Sequence, residues 1–230
     1  MDRRRKLKLA LDSSQNFGSI ALAEQGKLIY SSFFSISITH SETLMPQVDY
    51  ALKFCGCKPS DLEAVYFSQG PGSFTGLRIG LATAKGIAYG LKIPLRGFSS
   101  LQLCALQRRN CGRRILCLLD AKMKELYAAL YDEQLNELRA PCVCKAEDIL
   151  DWEIDGAYLL GSGAPLLKPH LAESALQLVE VDELPPLAAG LFTLAELFGA
   201  PEAYDFNALA ELEPDYLRES TAQIRAKQRE

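Results

Sequence analysis

The stretch Gln69-Gly70-Pro71-Gly72-Ser73-Phe74-Thr75-Gly76-Leu77-Arg78-Ile79-Gly80 decides the reading of this chain. It follows the apolar run 64–68, which predicts a short buried strand, and it opens a helix predicted over 75–91. Strand, glycine-rich loop and helix N-terminus together present free N–H groups and a positive dipole end. Lys-Ser/Thr does not follow the last glycine, so the loop is not a Walker A element. A tight strand-to-helix connection without a ligand explains the same residues. Along the helix, Gly76, Gly80, Ala84 and Ala88 recur every four residues and form a stripe of small side chains. Such a stripe suits close packing within the chain or against a partner. The opposite stripe, with Leu77, Leu81 and Ile87, reads as bulky, so the helix is expected to be buried on both sides.

Upstream of this stretch the chain opens with a predicted antiparallel meander. Residues 7–11 form an apolar run ending at Asp12, residues 13–18 a turn, 19–23 a second strand, Gln25-Gly26 a turn and 27–36 a third strand. A helix is predicted over about 39–54, with Thr39 or Ser41 as cap and Leu44, Val48, Ala51 and Leu52 on one face. Pro46 falls in its early part and Gly56 lies beyond its end, while Pro94 and Gly97 punctuate the exit from the second helix. A looser version of the same order follows. Strands are expected over 114–119, ending at Asp120, and over 125–131, 158–160 and 177–181, with a helical turn at 147–150 and a helix over 187–198. Two meanders, each leading into α/β units, suggest two related lobes facing across a cleft. No sequence repeat is detectable, so the duplication rests on element order.

Composition bounds the function classes. The chain has 230 residues, 48% of them hydrophobic, and a formal net charge of −4, so contact with RNA would need a local basic patch. Arg108, Arg109, Arg113 and Arg114, and Arg218, Arg225, Lys227 and Arg229, are such clusters, but without interleaved aromatic residues they read first as solvated surface. Seven cysteines are an odd number and point to free thiols in a reducing compartment. Cys55/Cys57 and Cys142/Cys144 are spaced more tightly than the pairs of structural zinc sites. The basic start MDRRRK is followed by an apolar run broken by Lys8 and Asp12, which does not read as a signal peptide, and 187–198 is too short to span a bilayer.

The run GPGSFTGLRIGLATAKGIA resembles the signature of the TsaB (YeaZ) family. LALDSSQNFGSIAL, ITHSETLMPQVDYAL, LLDAKMKELYAALYD, LLGSGA and EPDYLRESTA match the family pattern in the same order, so the resemblance spans nearly the whole chain. It implies an actin-like, Hsp70-like (ASKHA) α/β fold of two ribonuclease-H-like lobes: residues 1–97 completed by 201–230, and residues 98–200. It also implies a cytoplasmic, non-catalytic subunit that dimerises with the catalytic paralogue TsaD. Together with the ATPase TsaE, that complex moves a threonylcarbamoyl group onto adenosine beside the tRNA anticodon. Partner contact is then expected through the two N-terminal helices, at His40, Leu44, Val48, Leu52, Gly76, Gly80, Ala84 and Ala88, and a homodimer through the same surface is plausible for the chain alone.

Metal and nucleotide are expected to belong to the partner subunits. The catalytic paralogue holds a metal through two histidines four apart, whereas here the second position is Leu44 after His40. In the ASKHA fold a hairpin in each lobe grips phosphates. Asp12-Ser13-Ser14 resembles the first, but the turn after Asp120 reads Ala121-Lys122-Met123-Lys124-Glu125, with no glycine to let amides approach a phosphate. Gly161 and Gly163 could still support an adenosine, and the cleft reads as degenerate. The competing readings are an ASKHA enzyme using ATP by itself and a peptidase. The latter needs an activated nucleophile beside a base, and the chain has two histidines in all.

Overall fold

The computed structural model describes residues 5–35, 40–180, 187–200 and 203–217, with the backbone alone for 40–42. Among these the chain forms two compact units, Met1–Leu103 with Pro186–Pro214, and Cys104–Pro185 with Asp215–Glu230.

The first unit is a five-stranded sheet in the order β3-β2-β1-β4-β5, built from β1 (Leu7–Asp12), β2 (Phe17–Glu24), β3 (Lys27–Ser35), β4 (Leu62–Gly70) and β5 (Leu95–Ser99). Strand β1 lies at the centre, antiparallel to β2 and parallel to β4. Alternation along the strands sends Leu7, Leu9, Leu11, Ile20 and Leu22 to one face. There they pack against α1 (His40–Phe54) and α2 (Phe74–Leu91) through Leu44, Val48, Leu52, Leu81, Ala84 and Ala88. The other face carries Lys8, Ala10, Ala21, Ala23 and Tyr66. Helix α6 (Gly190–Phe198) packs there, with Phe192 edge-on to Tyr66 at 5.9 Å. The Ala188 N–H donates to Ser19 Oγ at 2.8 Å, which fixes the start of this segment on the sheet. Helix α7 (Phe206–Glu211) returns to α2, where Lys85 donates to the Ala210 carbonyl and Phe206 meets Tyr89.

The second unit repeats this plan. Its sheet is ordered β10-β9-β6-β7-β8, from β6 (Ile115–Asp120), β7 (Glu125–Tyr131), β8 (Glu137–Lys145), β9 (Tyr158–Leu160) and β10 (Val179–Glu180). Read from β8, the order and the strand directions match those of the first sheet: β6 is antiparallel to β7 and parallel to β9, as β1 is to β2 and β4. Helices α4 (Ala146–Ile149) and α5 (Ala164–Ala172) follow β8 and β9 in the chain as α1 and α2 follow β3 and β4, and α3 (Ser100–Ala105) links the two series. Leu116, Leu118, Leu126, Leu130, Ile149, Trp152 and Leu167 fill this core. The duplicated ribonuclease-H-like topology is an ASKHA-type fold.

Several expectations are corrected. The break expected at 97/98 falls at 103/104, because Gly97 sits inside β5 and is not a terminator. A Cβ there would crowd the Gln69 side chain, so this glycine serves a close approach between neighbouring strands. Residues 190–198 belong to the first unit and not to the second, since α6 covers the second face of its sheet. Strand β8 went unread because Glu137, Arg139 and Pro141 disguise it; it is an edge strand with register irregularities opposite β7, where proline is tolerated. Leu77 and Leu81 are buried beside the small-residue stripe of α2 and do not oppose it, which leaves a third stripe facing outward.

Candidate functional site

Strand β4 delivers the signature loop to the β1–β2 turn. The Gly70–Pro71 bond is cis and Gly70 has φ +132°. Ser73 caps α2 by accepting from the Gly76 N–H at 3.3 Å, and its own N–H donates to the Ser14 carbonyl at 2.7 Å. In return, the Ser13 hydroxyl donates to the Gly76 carbonyl at 2.9 Å. A Cβ on Gly72 would overlap the Ser14 carbonyl oxygen, and one on Gly80 would overlap Ser13 Oγ. The glycines of the signature therefore let the loop and α2 lie directly on the Asp12-Ser13-Ser14 turn. Phe74 is covered by the Arg78 guanidinium at 4.1 Å from the ring centre, and Thr75 is exposed.

The two hairpin turns are built alike. Asp12 Oδ1 accepts from the Ser14 N–H at 2.9 Å, and Asp120 Oδ1 from the Lys122 N–H at 2.7 Å. Each aspartate thus closes a local turn on the amide two residues on. Burial raises the Asp12 carboxyl above its ordinary value. At Asp120 partial burial works the same way, but the Lys122 ammonium at 2.8 Å and the Lys122 N–H outweigh it and hold this carboxyl low. Lys122, Met123 and Lys124 all take left-handed φ, at 65°, 55° and 65°, in a turn without glycine. Gly161, with φ +98°, and Gly163 press on β6: a Cβ on Gly161 would overlap the Leu118 carbonyl oxygen, and Gly163 N–H donates to that oxygen at 2.9 Å. Ser162 Oγ accepts from Asp120 N–H at 3.3 Å. In each unit the loop after the fourth strand of the series thus locks onto the central strand or its turn.

The helix faces sort differently from the expected interface. Leu44, Val48 and Leu52 of α1 and Gly76, Gly80, Ala84 and Ala88 of α2 are buried within their own unit and are not presented to a partner. The His40 side chain lies outside the described residues, as do Arg218, Arg225, Lys227 and Arg229. What faces outward is a second set. Helix α1 shows Met45, Tyr50 and Phe54, with Phe54 69% exposed. Helix α2 shows Thr75, Arg78, Ala82, Gly86, Tyr89 and Gly90. Tyr50 stacks on Phe54 with centroids 6.0 Å apart, and Tyr89 is 60% exposed. Gly86 and Gly90 have open space where a Cβ would stand and do not take positive φ. Among the described residues nothing requires glycine there, and each costs about 1 kcal/mol of helix stability relative to alanine. Sequence reasoning missed this face, although Ala82, Gly86 and Gly90 also recur every four residues.

Elsewhere the candidates spend themselves internally. Arg113 donates to the Gly156 carbonyl, Arg114 to the Glu153 carbonyl and carboxylate, and Arg108 lies over Tyr158. The two C-x-C pairs fall in different units, and among the described residues no cluster of three or more His, Cys, Asp or Glu side chains could hold a metal. Burial pushes up the Cys57 and Cys117 thiols, and burial with Cys142 beside it pushes Cys144 up to about 12. These thiols stay protonated at neutral pH. Among the described residues no helix is long and apolar enough to cross a membrane.

The family model described as TsaD, tRNA N6-adenosine threonylcarbamoyltransferase, matches residues 35–164. The tRNA threonylcarbamoyladenosine biosynthesis protein TsaB of Escherichia coli K12 is 30% identical over 224 residues, which is 93% of this chain and 95% of that protein. TsaB of Bacillus subtilis is 36% identical over 144 residues, 63% of each chain. A crystal structure from Pseudomonas aeruginosa, described as similar to peptidase YEAZ, superposes with a TM-score of 0.77 at 27% identity, over 93% of this chain and all of that one. The chain belongs to the TsaB (YeaZ) family of tRNA threonylcarbamoyladenosine biosynthesis proteins.

Proposed function

We propose that this chain is the non-catalytic docking subunit of a cytoplasmic tRNA threonylcarbamoyladenosine-forming complex. It binds a TsaD-like catalytic paralogue through the outward face of α1 and α2, and a TsaE-like ATPase joins the assembly. The observation that carries this reading is what the two helices expose: Tyr50 and Phe54 on α1, Tyr89 on α2, and Gly86 and Gly90, which no described residue crowds. Large exposed aromatics supply contact area, and glycines let a second helix backbone come close. Because paralogues share a contact mode, the same face would serve a homodimer when the partner is absent.

The non-catalytic part of the reading has its own support. The amides of Ser14 and Lys122 are bound by Asp12 and Asp120, which leaves both turns poor phosphate grips. ATP or ADP and metal would then sit on the partner subunits, and tRNA would be engaged through the complex. A peptidase would need an activated nucleophile, and the raised thiols of Cys57, Cys117 and Cys144 speak against a thiolate at those positions.

Reconstitution tests the reading. Threonylcarbamoyl adenylate, tRNA and the TsaD-like and TsaE-like proteins of the same organism should give modified adenosine over repeated turnovers only when this chain is added. This chain with tRNA and the adenylate alone should give none. Modification by the chain alone, or full activity without it, would overturn the proposal.

A further inference from the structure

The first sheet has a second face, turned away from α1 and α2, and α6 does not fill it. Among the described residues a cavity of about 490 Å³ remains between the strands and this helix, within the range of roughly 300–1,000 Å³ typical of small-molecule sites. Its origin is legible residue by residue. On the strand side, the cross-strand neighbours of Lys8 are Ala23 and Ala64, whose methyl groups leave space beside the lysine stem. On the helix side, Ala189, Gly190 and Ala195 line the cavity where larger side chains would close it.

The lining is chemically mixed. Phe192, set edge to face at 85° on the buried Tyr66, gives the cavity its aromatic wall. Lys8 brings an ammonium on the central strand, half-buried, which has no ion pair or hydrogen bond among the described residues. Thr193 and Glu196, three residues apart on one face of α6, complete the polar side, with Glu196 at the exposed rim. An ammonium at a partly enclosed site attracts an anion, and a charge-assisted hydrogen bond to it is among the stronger ones.

We infer that this cavity is a binding site for a small monocarboxylate with an apolar or aromatic body. The carboxylate pairs with Lys8 and accepts from the Thr193 hydroxyl, and the body lies against Phe192. Glu196 at the rim disfavours a second negative charge on the ligand. The site is independent of the partner-binding helices, since it lies on the other face of the sheet, so it stands or falls apart from the proposed function.

Ligand-detected NMR with benzoate and its neutral isostere benzamide, on the full chain, tests the site. Benzoate is expected to bind in the millimolar range and benzamide about tenfold or more weakly, the difference a charge-assisted hydrogen bond makes. Lys8→Met should bring benzoate down to the level of benzamide, Lys8→Arg should retain it, and Glu196→Gln should strengthen it. Equal binding of the two probes, no benzoate signal at millimolar concentration, or undiminished binding by folded Lys8→Met would each overturn the assignment. The benzoate–benzamide comparison needs only the wild-type protein, so it decides the matter even where the Lys8 variants fail to fold.

Discussion

Gly80 and Gly86 stand six residues apart on one helix and do opposite things. A side chain at Gly80 would enter Ser13 Oγ, which donates to the Gly76 carbonyl, so the substitution forces the hairpin turn and α2 apart. Gly80→Ala is expected to destabilise the isolated chain by about 1–3 kcal/mol, the usual cost of overpacking, measured by urea unfolding. Gly86→Ala meets open space and is expected to stabilise it by about 0.4–1 kcal/mol. Equal effects of the two substitutions would contradict the assignment of faces. Asp12 gives a pH signature. Its carboxyl is buried and its pKa raised, so the cost of ionising it is absent below the ordinary carboxylate value of 3.8 and grows as pH rises through the higher folded value. Asp12→Asn keeps an acceptor for the Ser14 N–H and removes that charge. Its melting temperature relative to wild type should therefore rise from pH 4 to pH 7; a difference independent of pH would show that the carboxylate carries no such cost.

At the scale of elements, the helices are held by their ends as much as by their faces. Helix α2 starts on Ser73 as cap and stops at Lys92, which takes a left-handed φ of 54°. Glycine adopts that conformation without a Cβ penalty, so Lys92→Gly is expected to raise stability by up to about 1 kcal/mol, read again from urea unfolding. The strands and helices with plain apolar periodicity, such as 7–12 and 74–91, were legible in the sequence. Strand β5 was hidden by Pro94 and Gly97, and β8 by Pro141 and its charges, because an edge strand or a close strand contact tolerates residues that a central strand excludes. The site was legible only in outline. The spacing of Gly76, Gly80, Ala84 and Ala88 and that of Ala82, Gly86 and Gly90 look alike in one dimension. Which set meets the chain's own backbone depends on where the Ser13-Ser14 turn lies, and local sequence does not carry that.

For the whole molecule, the same five-strand order appears twice, and both copies end their first strand with an aspartate that binds the amide two residues on. Element order hinted at this duplication, and strand pairing establishes it. In each unit this aspartate closes a turn on the chain's own backbone, while α1 and α2 carry exposed aromatic residues. Light scattering of this chain mixed with the TsaD-like protein of the same organism, for wild type, Gly86→Leu and Phe54→Asp, tests that account most directly. A heterodimer that forms with wild type and is lost with both variants, each still folded by circular dichroism, is the predicted result. A heterodimer that both folded variants form as well as wild type does would contradict docking through the outward face of α1 and α2.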